Sequence, residues 1–163
     1  MGRKHFLFLM SAVFCVLMAF SPRAAYAAPP SDPCSLLTPA QVSAVLGVNV
    51  GEGQRMAPTL CEWSVSGQSG PGSKKVTVTL QNPQAFAYAK MPVGHGITKT
   101  PVSGIGDDAV YGTTPNFAAT LTVKKGDVVF AVRVFGFPIA EGKSLDEVQA
   151  KEKTLALEIL SKL

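Results

Sequence analysis

The stretch FAATLTVKKGDVVFAVRVFGF, residues 117–137, decides the fold of this chain. Apolar and polar residues alternate over residues 117–124, which is the period of a strand with one buried face. Lys125-Gly126-Asp127 turns the chain, and residues 128–137 return as a strand that is apolar on both faces except at Arg133. Strands of that kind lie in the middle of a sheet. The stretch therefore predicts a β-hairpin whose second strand is central.

Further strands and helices surround this hairpin in the sequence. Period-two alternation and β-like composition predict strands at residues 61–66, 75–81 and 109–112. Capping residues and helical spacing of apolar side chains predict helices at residues 39–46, 84–91 and 145–163, with Thr38 and Ser144 as N-caps of the first and last. We expect the last helix to bury one stripe of side chains, formed by Leu145, Val148, Leu155, Ile159 and Leu163.

Turn-linked strands with alternating faces predict an antiparallel sheet with helices packed on it, which is the α+β class. The 163 residues suffice for one core and are few for two domains. We predict a single domain over residues 34–163 with about four or five strands, after a flexible lead-in at residues 28–33. Residues 48–57 are expected to be irregular or a weak strand, and residues 92–106 a long glycine-bearing connection.

The first 27 residues have the layout of a secretory signal peptide. Arg3 and Lys4 precede an apolar run of 15 residues, and Ala25-Tyr26-Ala27 is a small-x-small cleavage pattern. The run is shorter than the roughly 20 residues that a membrane-spanning helix needs. An uncleaved anchor is the alternative. We expect cleavage after Ala27 and a periplasmic or secreted protein without a membrane span.

Cleavage would also remove most of the net positive charge. Three of the 15 basic residues lie in the signal segment, so 12 basic residues face 11 acidic ones and the net charge falls from +4 to +1. The longest basic runs are the pairs at 74–75 and 124–125, where solvated lysines beside turns are the ordinary interpretation. Nucleic-acid-binding proteins carry a clustered basic face. We expect no nucleic-acid partner.

The cysteine count changes with cleavage in the same way. Cys15 leaves with the signal segment, and Cys34 and Cys61 remain. An even count in an oxidising compartment predicts one disulfide. The alternatives are a metal pair, which would need further ligands although His95 is the one histidine of the mature chain, and a redox dithiol, which usually has Cys-x-x-Cys spacing. We expect a structural disulfide with Trp63 beside it, and no metal or cofactor.

Two acidic or glycine-bearing patterns are weak candidates for chemistry. Gly104-x-Gly106-x-x-Ala109 has the spacing of a dinucleotide-binding turn, but that motif leads into a helix and a β-like segment follows here. We therefore expect these glycines to turn the chain into a strand. Asp107 and Asp108, with Glu62, could be paired carboxylates. Adjacent residues of an extended chain point in opposite directions, so a turn-stabilising role is favoured and no catalytic residue is assigned.

The preferred binding residues lie on the second strand of the hairpin and in the long connection. By alternation, Arg133, Phe135 and Phe137 share one face. One interpretation is a second apolar face that a helix covers. The other is a groove in which the two phenylalanines form the floor, Arg133 holds an anion and residues 92–106 form a lid. His95 lies in that lid. With Met91 or Met56 it could bind copper, and an exposed loop histidine is the simpler interpretation.

Four short segments together suggest a family. They are Asp32-Pro33-Cys34-Ser35-Leu36-Leu37-Thr38, Leu46-Gly47, Cys61-Glu62-Trp63-Ser64 and the stretch GIGDDAVY at residues 104–111. This series resembles a family of small secreted or lipid-anchored bacterial proteins known as domain of unknown function 3558. The resemblance implies a Cys34–Cys61 disulfide and an extracytoplasmic α+β domain. It brings no known activity, and the chain lacks the lipid-accepting cysteine of the family's lipoproteins.

These observations favour a non-enzymatic, exported binding module for a small ligand or an envelope protein, and we expect it to be a monomer. A cell-envelope enzyme that uses carboxylates at an unassigned site is one alternative. A protein inhibitor or assembly factor with an exposed docking face is another. A deep pocket would favour a small ligand, whereas a flat apolar patch would favour a protein partner.

Overall fold

Seven antiparallel strands form one sheet in the computed structural model of the protein, which describes residues 29–68, 72–92, 94, 96–114, 119–137 and 145–163. The strands are β1 (Gln54–Ala57), β2 (Leu60–Ser64), β3 (Lys75–Gln81), β4 (Thr98–Val102), β5 (Asp108–Thr113), β6 (Thr120–Lys125) and β7 (Val128–Phe135). Their order across the sheet is β1-β2-β3-β7-β6-β5-β4. The β6–β7 hairpin and the central place of β7 are therefore confirmed.

Three α-helices and one short 3₁₀ helix accompany the sheet in the described residues. They are the 3₁₀ helix Pro33–Ser35, α1 (Pro39–Leu46), α2 (Ala85–Lys90) and α3 (Leu145–Leu160). The α1 helix begins at Thr38, whose side chain accepts from the Gln41 N–H while the Gln41 side chain accepts from the Thr38 N–H, and it ends at Gly47 in the left-handed region. No helix of the described residues is long and apolar enough to cross a bilayer. The α+β class is confirmed.

The predicted number of four or five strands is wrong, because the sequence analysis omitted both edges of the sheet. β4 lies inside residues 92–106, which were expected to form a connection, and β1 lies in the segment described as irregular or a weak strand. Both are edge strands whose side chains are mostly exposed. A strand that buries neither face has no need for period-two alternation, so the hydrophobic pattern does not report it.

One face of the sheet, which we call the helix face, packs against α1 and α3 and holds the main core. Its wholly or almost wholly buried side chains include Trp63, Val76, Val78, Leu121, Val123, Phe130, Val132, Val134, Leu155 and Ile159. Val148, Leu155 and Ile159 of the predicted α3 stripe are buried as expected. Leu163 is not, because α3 ends at Leu160 and the Leu163 side chain is 37% exposed. Ser144, the predicted N-cap, lies outside the described residues.

The predicted disulfide joins the 3₁₀ helix to the sheet. Cys34 and Cys61 are bonded, with an Sγ–Sγ distance of 2.01 Å. Cys61 and Trp63 are both wholly buried on the helix face. A Cβ placed on Gly53 would lie within 3 Å of the Trp63 ring and of the Cys61 Sγ, so the ring and the sulfur lie side by side under this glycine. The expected position of Trp63 beside the disulfide is thereby confirmed.

Gly104 and Gly106 turn the chain into β5, as we expected when the dinucleotide-binding motif was set aside. Both have left-handed backbone angles, with φ of 75° and 59°. A Cβ on Gly106 would lie 2.5 Å from the carbonyl oxygen of Lys124, whereas a Cβ on Gly104 would meet nothing within 4 Å. Gly106 is therefore required for both its conformation and its close approach to β6, and Gly104 for its conformation alone.

We expect Gly106→Ala to destabilise the fold more than Gly104→Ala. Both substitutions incur the strain of a left-handed alanine, about 1 kcal/mol. Gly106→Ala adds a collision with backbone that a side-chain movement does not relieve, which contributes roughly 1–3 kcal/mol more. Denaturant unfolding of the two variants measures the difference. Equal losses would show that the backbone of β6 moves away from residue 106 at no cost.

Candidate functional site

The second face of the sheet, which we call the open face, carries Thr77, Ala131 and Arg133 on its central strands. The α2 helix covers one part of it, where Phe86 packs with Val110 and Val129 in a small separate cluster. The interpretation that a helix covers this face is therefore correct for the part that lies under α2. Beyond α2, near Arg133, the open face has a cavity instead.

This cavity has a volume of about 240 Å³ and lies between β4, β5, β6 and β7. We call it the Arg133 cavity. Two of its lining residues are cations and three are threonines, and small or apolar residues complete the wall: Arg133, Lys99, Thr114, Thr120, Thr122, Ala89, Ile97, Val110 and Gly112. No carboxylate belongs to this lining among the described residues. Every charge and most of the polar groups in the lining can therefore donate to an anion.

The Arg133 guanidinium stacks on an aromatic ring, and its Nε has no hydrogen-bond partner among the described residues. Its guanidinium carbon lies 4.8 Å from the centroid of the Phe135 ring, a cation–π contact that fixes the side chain along β7. Its Nε is buried and has no hydrogen-bond partner among the described residues. The nearest acid on this face in the strand register, Glu62, pairs with Lys75 at 2.9 Å and so does not neutralise the guanidinium.

Lys99 enters the same cavity from the edge strand. It is the register partner of Gly112, and a Cβ on Gly112 would lie 3.2 Å from the Lys99 Nζ. The absence of a side chain at residue 112 therefore lets the lysine lie across β5 toward β6 and β7. Lys99 has no ion-pair or hydrogen-bond partner in the part of the chain that the structure describes. Like Arg133, it is a cation without an ion-pair partner among the described residues.

Comparison of the chain with protein-family models, with curated proteins and with solved structures finds no match. The resemblance to domain of unknown function 3558 therefore stays a prediction.

The structure separates the predicted binding residues. Arg133 and Phe135 lie together on the open face, but Phe137 packs with the core of the helix face, where the Lys151 Nζ of α3 is 5.1 Å from its ring centroid. Gly136 is the cause, because its left-handed φ of 81° breaks the alternation of β7. The prediction that Phe137 shares a face with Arg133 is wrong. His95 lies outside the described residues.

The predicted lid is a wall instead. Ile97 and Lys99 from the long connection line the Arg133 cavity, but residues 98–102 are paired with β5 as an edge strand. Phe135 is not among the lining residues and supports Arg133 from beside the cavity. Sequence reasoning missed Lys99 and the three threonines. Lys99 could have been found from its pairing with Gly112, whose missing side chain leaves room for the lysine. That pairing is known only once the strand register is known.

The acidic candidates point away from each other. Asp107 accepts from the Gly126 N–H at 2.7 Å and from Lys125 at 2.9 Å, and these bonds hold the pKa of its carboxyl below the usual value. Asp108 pairs with Lys90 of α2 at 2.6 Å. The turn-stabilising role predicted for this pair is confirmed at Asp107, which ties the β6–β7 turn to the start of β5. Among the described residues, no group of three or more potential metal ligands occurs.

A buried acid on the helix face was not anticipated. Glu152 of α3 is wholly buried, and its Oε1 accepts from the Val134 N–H at 3.1 Å. Val134 lies beyond the last β6–β7 register pair, Leu121 with Val132, so the carboxyl supplies an acceptor where the described ladder ends. Burial raises the pKa of Glu152 to about 8 despite this bond and the nearby charge of Arg133. Burial and the charge of Glu152 raise the pKa of Tyr111 above its usual value.

A larger groove between α1 and α3 has a weaker chemical case. It has a volume of about 670 Å³ and is mostly apolar. Its polar groups are already engaged: Gln41 donates to Glu158 at 2.6 Å, and Lys151 lies 3.6 Å from Glu147 and donates to the Val45 carbonyl. The Arg133 cavity is smaller but leaves its cations unpaired. We therefore take it as the candidate site.

Proposed function

We propose that this chain is an exported, non-enzymatic binding module that holds a small anionic ligand in the Arg133 cavity. The observation that carries the proposal is the pair of cations, Arg133 and Lys99, that line one cavity without a counter-charge among the described residues. The buried, unpartnered Nε of Arg133 points to the same conclusion. A bound anion would bring negative charge and hydrogen-bond acceptors into this cavity.

The energetics support an anion as the ligand. A buried donor without a partner costs about 1–3 kcal/mol, and more when it is charged. Two cations in one cavity also repel each other, and the low dielectric of a partly closed site strengthens that repulsion. Hydrogen bonds from a charged donor contribute about 1.5–3 kcal/mol each. Threonine hydroxyls can add further donors around the ligand.

Binding rather than catalysis is proposed because the described lining offers donors and no carboxylate or histidine to accept a proton. The acids on the same face are in ion pairs with lysines. Such a site can hold and orient an anion. Among the described lining residues, no group is placed for general-base chemistry on that anion.

The proposal that the protein is exported has two supports. The first 27 residues have the three parts of a secretory signal, and Cys34 and Cys61 form the kind of structural bond that persists outside the cytosol. We propose a periplasmic or secreted protein of the bacterial family that the sequence resembles. The denatured mass of the exported protein tests cleavage after Ala27.

We expect Arg133→Gln to weaken the binding of small anions by at least roughly tenfold, because it removes the charged donor that is fixed on Phe135. The measurement is calorimetric titration of the exported protein with succinate, butyrate and phosphate at low salt. Arg55→Gln is the matched control, because Arg55 is an exposed arginine that pairs with Asp32 at 2.7 Å, on the edge strand β1.

The control should bind as the wild type does. If none of the three anions binds the wild-type protein, or if Arg133→Gln and Arg55→Gln bind equally well, the proposed function is wrong. A protein partner on another surface would then be the better hypothesis.

A further inference from the structure

We propose that the ligand of the Arg133 cavity is a short linear dicarboxylate, with one carboxylate on Arg133 and the other on Lys99. This inference rests on the proposed function and specifies its ligand class. It depends on where the two cations lie in the strand register, on what lies between them, and on the volume of the cavity.

The register places the two cations on opposite sides of β6. Lys99 pairs with Gly112, and Gly112 pairs with Thr120 of β6. Since Leu121 pairs with Val132, Thr120 and Arg133 are the next residues in that register. The Lys99 Nζ lies over Gly112 of β5. Strands are about 4.8 Å apart, so β5 and β7 are separated by roughly 10 Å.

That separation favours two anionic groups over one. The two side chains enter the cavity from opposite sides of β6, so a ligand that meets both of them needs an anionic group at each end. A single monocarboxylate reaches one cation and leaves the other without a counter-charge. A short dicarboxylate spans the interval and neutralises both, which brings the charge of two cations and two carboxylates to zero.

The surface between the cations suits a hydrocarbon spacer. Gly112 and Thr120 lie between the two cations in the strand register, and Val110, Thr122, Ala89 and Ile97 line the rest of the cavity. These groups offer methyl and methylene surface to the middle of the ligand. A ligand with polar ends and an apolar centre therefore matches the lining better than a compact anion such as phosphate.

The volume of the cavity favours a short chain. The cavity holds about 240 Å³, which suits a dicarboxylate of the size of succinate better than a longer one.

The test is calorimetric titration of the exported protein with succinate and with butyrate, which has the same carbon chain and one carboxylate fewer. We expect succinate to bind about tenfold or more tightly, because the second carboxylate gains a charged hydrogen bond to Lys99. We expect malonate and adipate to bind less tightly than succinate, since the two cations extend from fixed backbone positions on different strands.

Lys99→Gln should abolish the advantage of succinate over butyrate and leave butyrate binding unchanged. Lys153→Gln removes the same charge from an exposed position on α3 and is the matched control. An unchanged unfolding midpoint of the ligand-free Lys99→Gln protein confirms that the variant folds.

Each result decides between the two proposals. If butyrate binds as tightly as succinate, or if Lys99→Gln weakens both ligands equally, the dicarboxylate inference is wrong while an anion site at Arg133 stands. If phosphate alone binds and Lys99→Gln weakens it, a compact anion occupies the cavity and the inference is again wrong. If no anion binds at all, the proposed function fails first.

Discussion

As the pH rises from below 4.5 to above 8, the free energy of unfolding is expected to fall by roughly 5 kcal/mol through Glu152. The pKa of this carboxyl is about 4.5 in the unfolded chain and about 8 in the folded protein. In that interval the folded protein holds a proton that the unfolded chain has released, so each increase in pH favours unfolding. The contribution is complete below pH 4.5 and is lost as the pH passes 8.

The variant Glu152→Gln isolates this effect. The amide oxygen can still accept from the Val134 N–H, but the side chain no longer titrates. Urea unfolding of both proteins across pH 4 to 9 should show that their stabilities converge or cross at acid pH and that the variant is the more stable at pH 8. Parallel profiles would contradict the role of Glu152.

Asp107 does not confuse this measurement. The N–H of Gly126 and the ammonium of Lys125 lower its pKa, so it stabilises the fold above its unfolded pKa, and this contribution is lost as the pH falls through the folded value. Both values lie below the interval in which Glu152 titrates. The sign of its effect is also opposite. Falling stability toward alkaline pH therefore reports Glu152.

Replacing Cys34 and Cys61 together by alanine is expected to lower the free energy of unfolding by roughly 3–4 kcal/mol. The bond closes a loop between residues that are 27 apart in the sequence, and its loss gives the unfolded chain the entropy of that loop. It also releases the 3₁₀ helix from β2. Denaturant unfolding of the double variant and of the oxidised protein measures the difference.

A second link between the same regions supplies the control. Asp32 precedes Cys34 and pairs with Arg55 of β1 at 2.7 Å, but both side chains are about half exposed. Exposed pairs contribute at most about 1 kcal/mol. Arg55→Gln should therefore cost far less than loss of the disulfide. Equal losses would mean that the covalent bond adds little to the docking of this segment.

The strands that bury one face could be predicted from the sequence, and the edge strands could not. Apolar and polar residues alternate in β3 and β6 because alternate side chains enter the core, and β7 is apolar on both faces because it is central. β1 and β4 have no such constraint. Thr98–Val102 contains Pro101 and polar residues, and its hydrogen bonds to β5 depend on its backbone rather than on its side chains.

Gly136 explains why Phe135 but not Phe137 shares a face with Arg133. Arg133 and Phe135 are two residues apart on a regular strand, so alternation places them on the same face. Phe137 follows Gly136, whose left-handed angle ends the alternation. A glycine between two phenylalanines at the end of a predicted strand indicates that the alternation can end there. A Cβ on residue 136 would lie 2.7 Å from the Lys74 backbone, and alternation does not report this close approach.

The buried acid was also visible in part. Glu152 lies four residues after Val148 and three before Leu155, which is the spacing of the buried stripe of α3. The predicted stripe contains only apolar residues, so it leaves out Glu152. The sequence does not show that Glu152 bonds to Val134, because the place where the β6–β7 ladder ends depends on the strand lengths.

The two edges of the sheet also decide how copies of this protein can meet. β1 has four residues, its register is irregular between Arg55 and Ala57, and a charged side chain projects from it. β4 contains Pro101, which has no N–H to offer to another strand. Short length, bulges, charge and proline are the features that prevent sheets from joining edge to edge. At high protein concentration, copies of this chain should therefore not form fibrils that extend the native sheet.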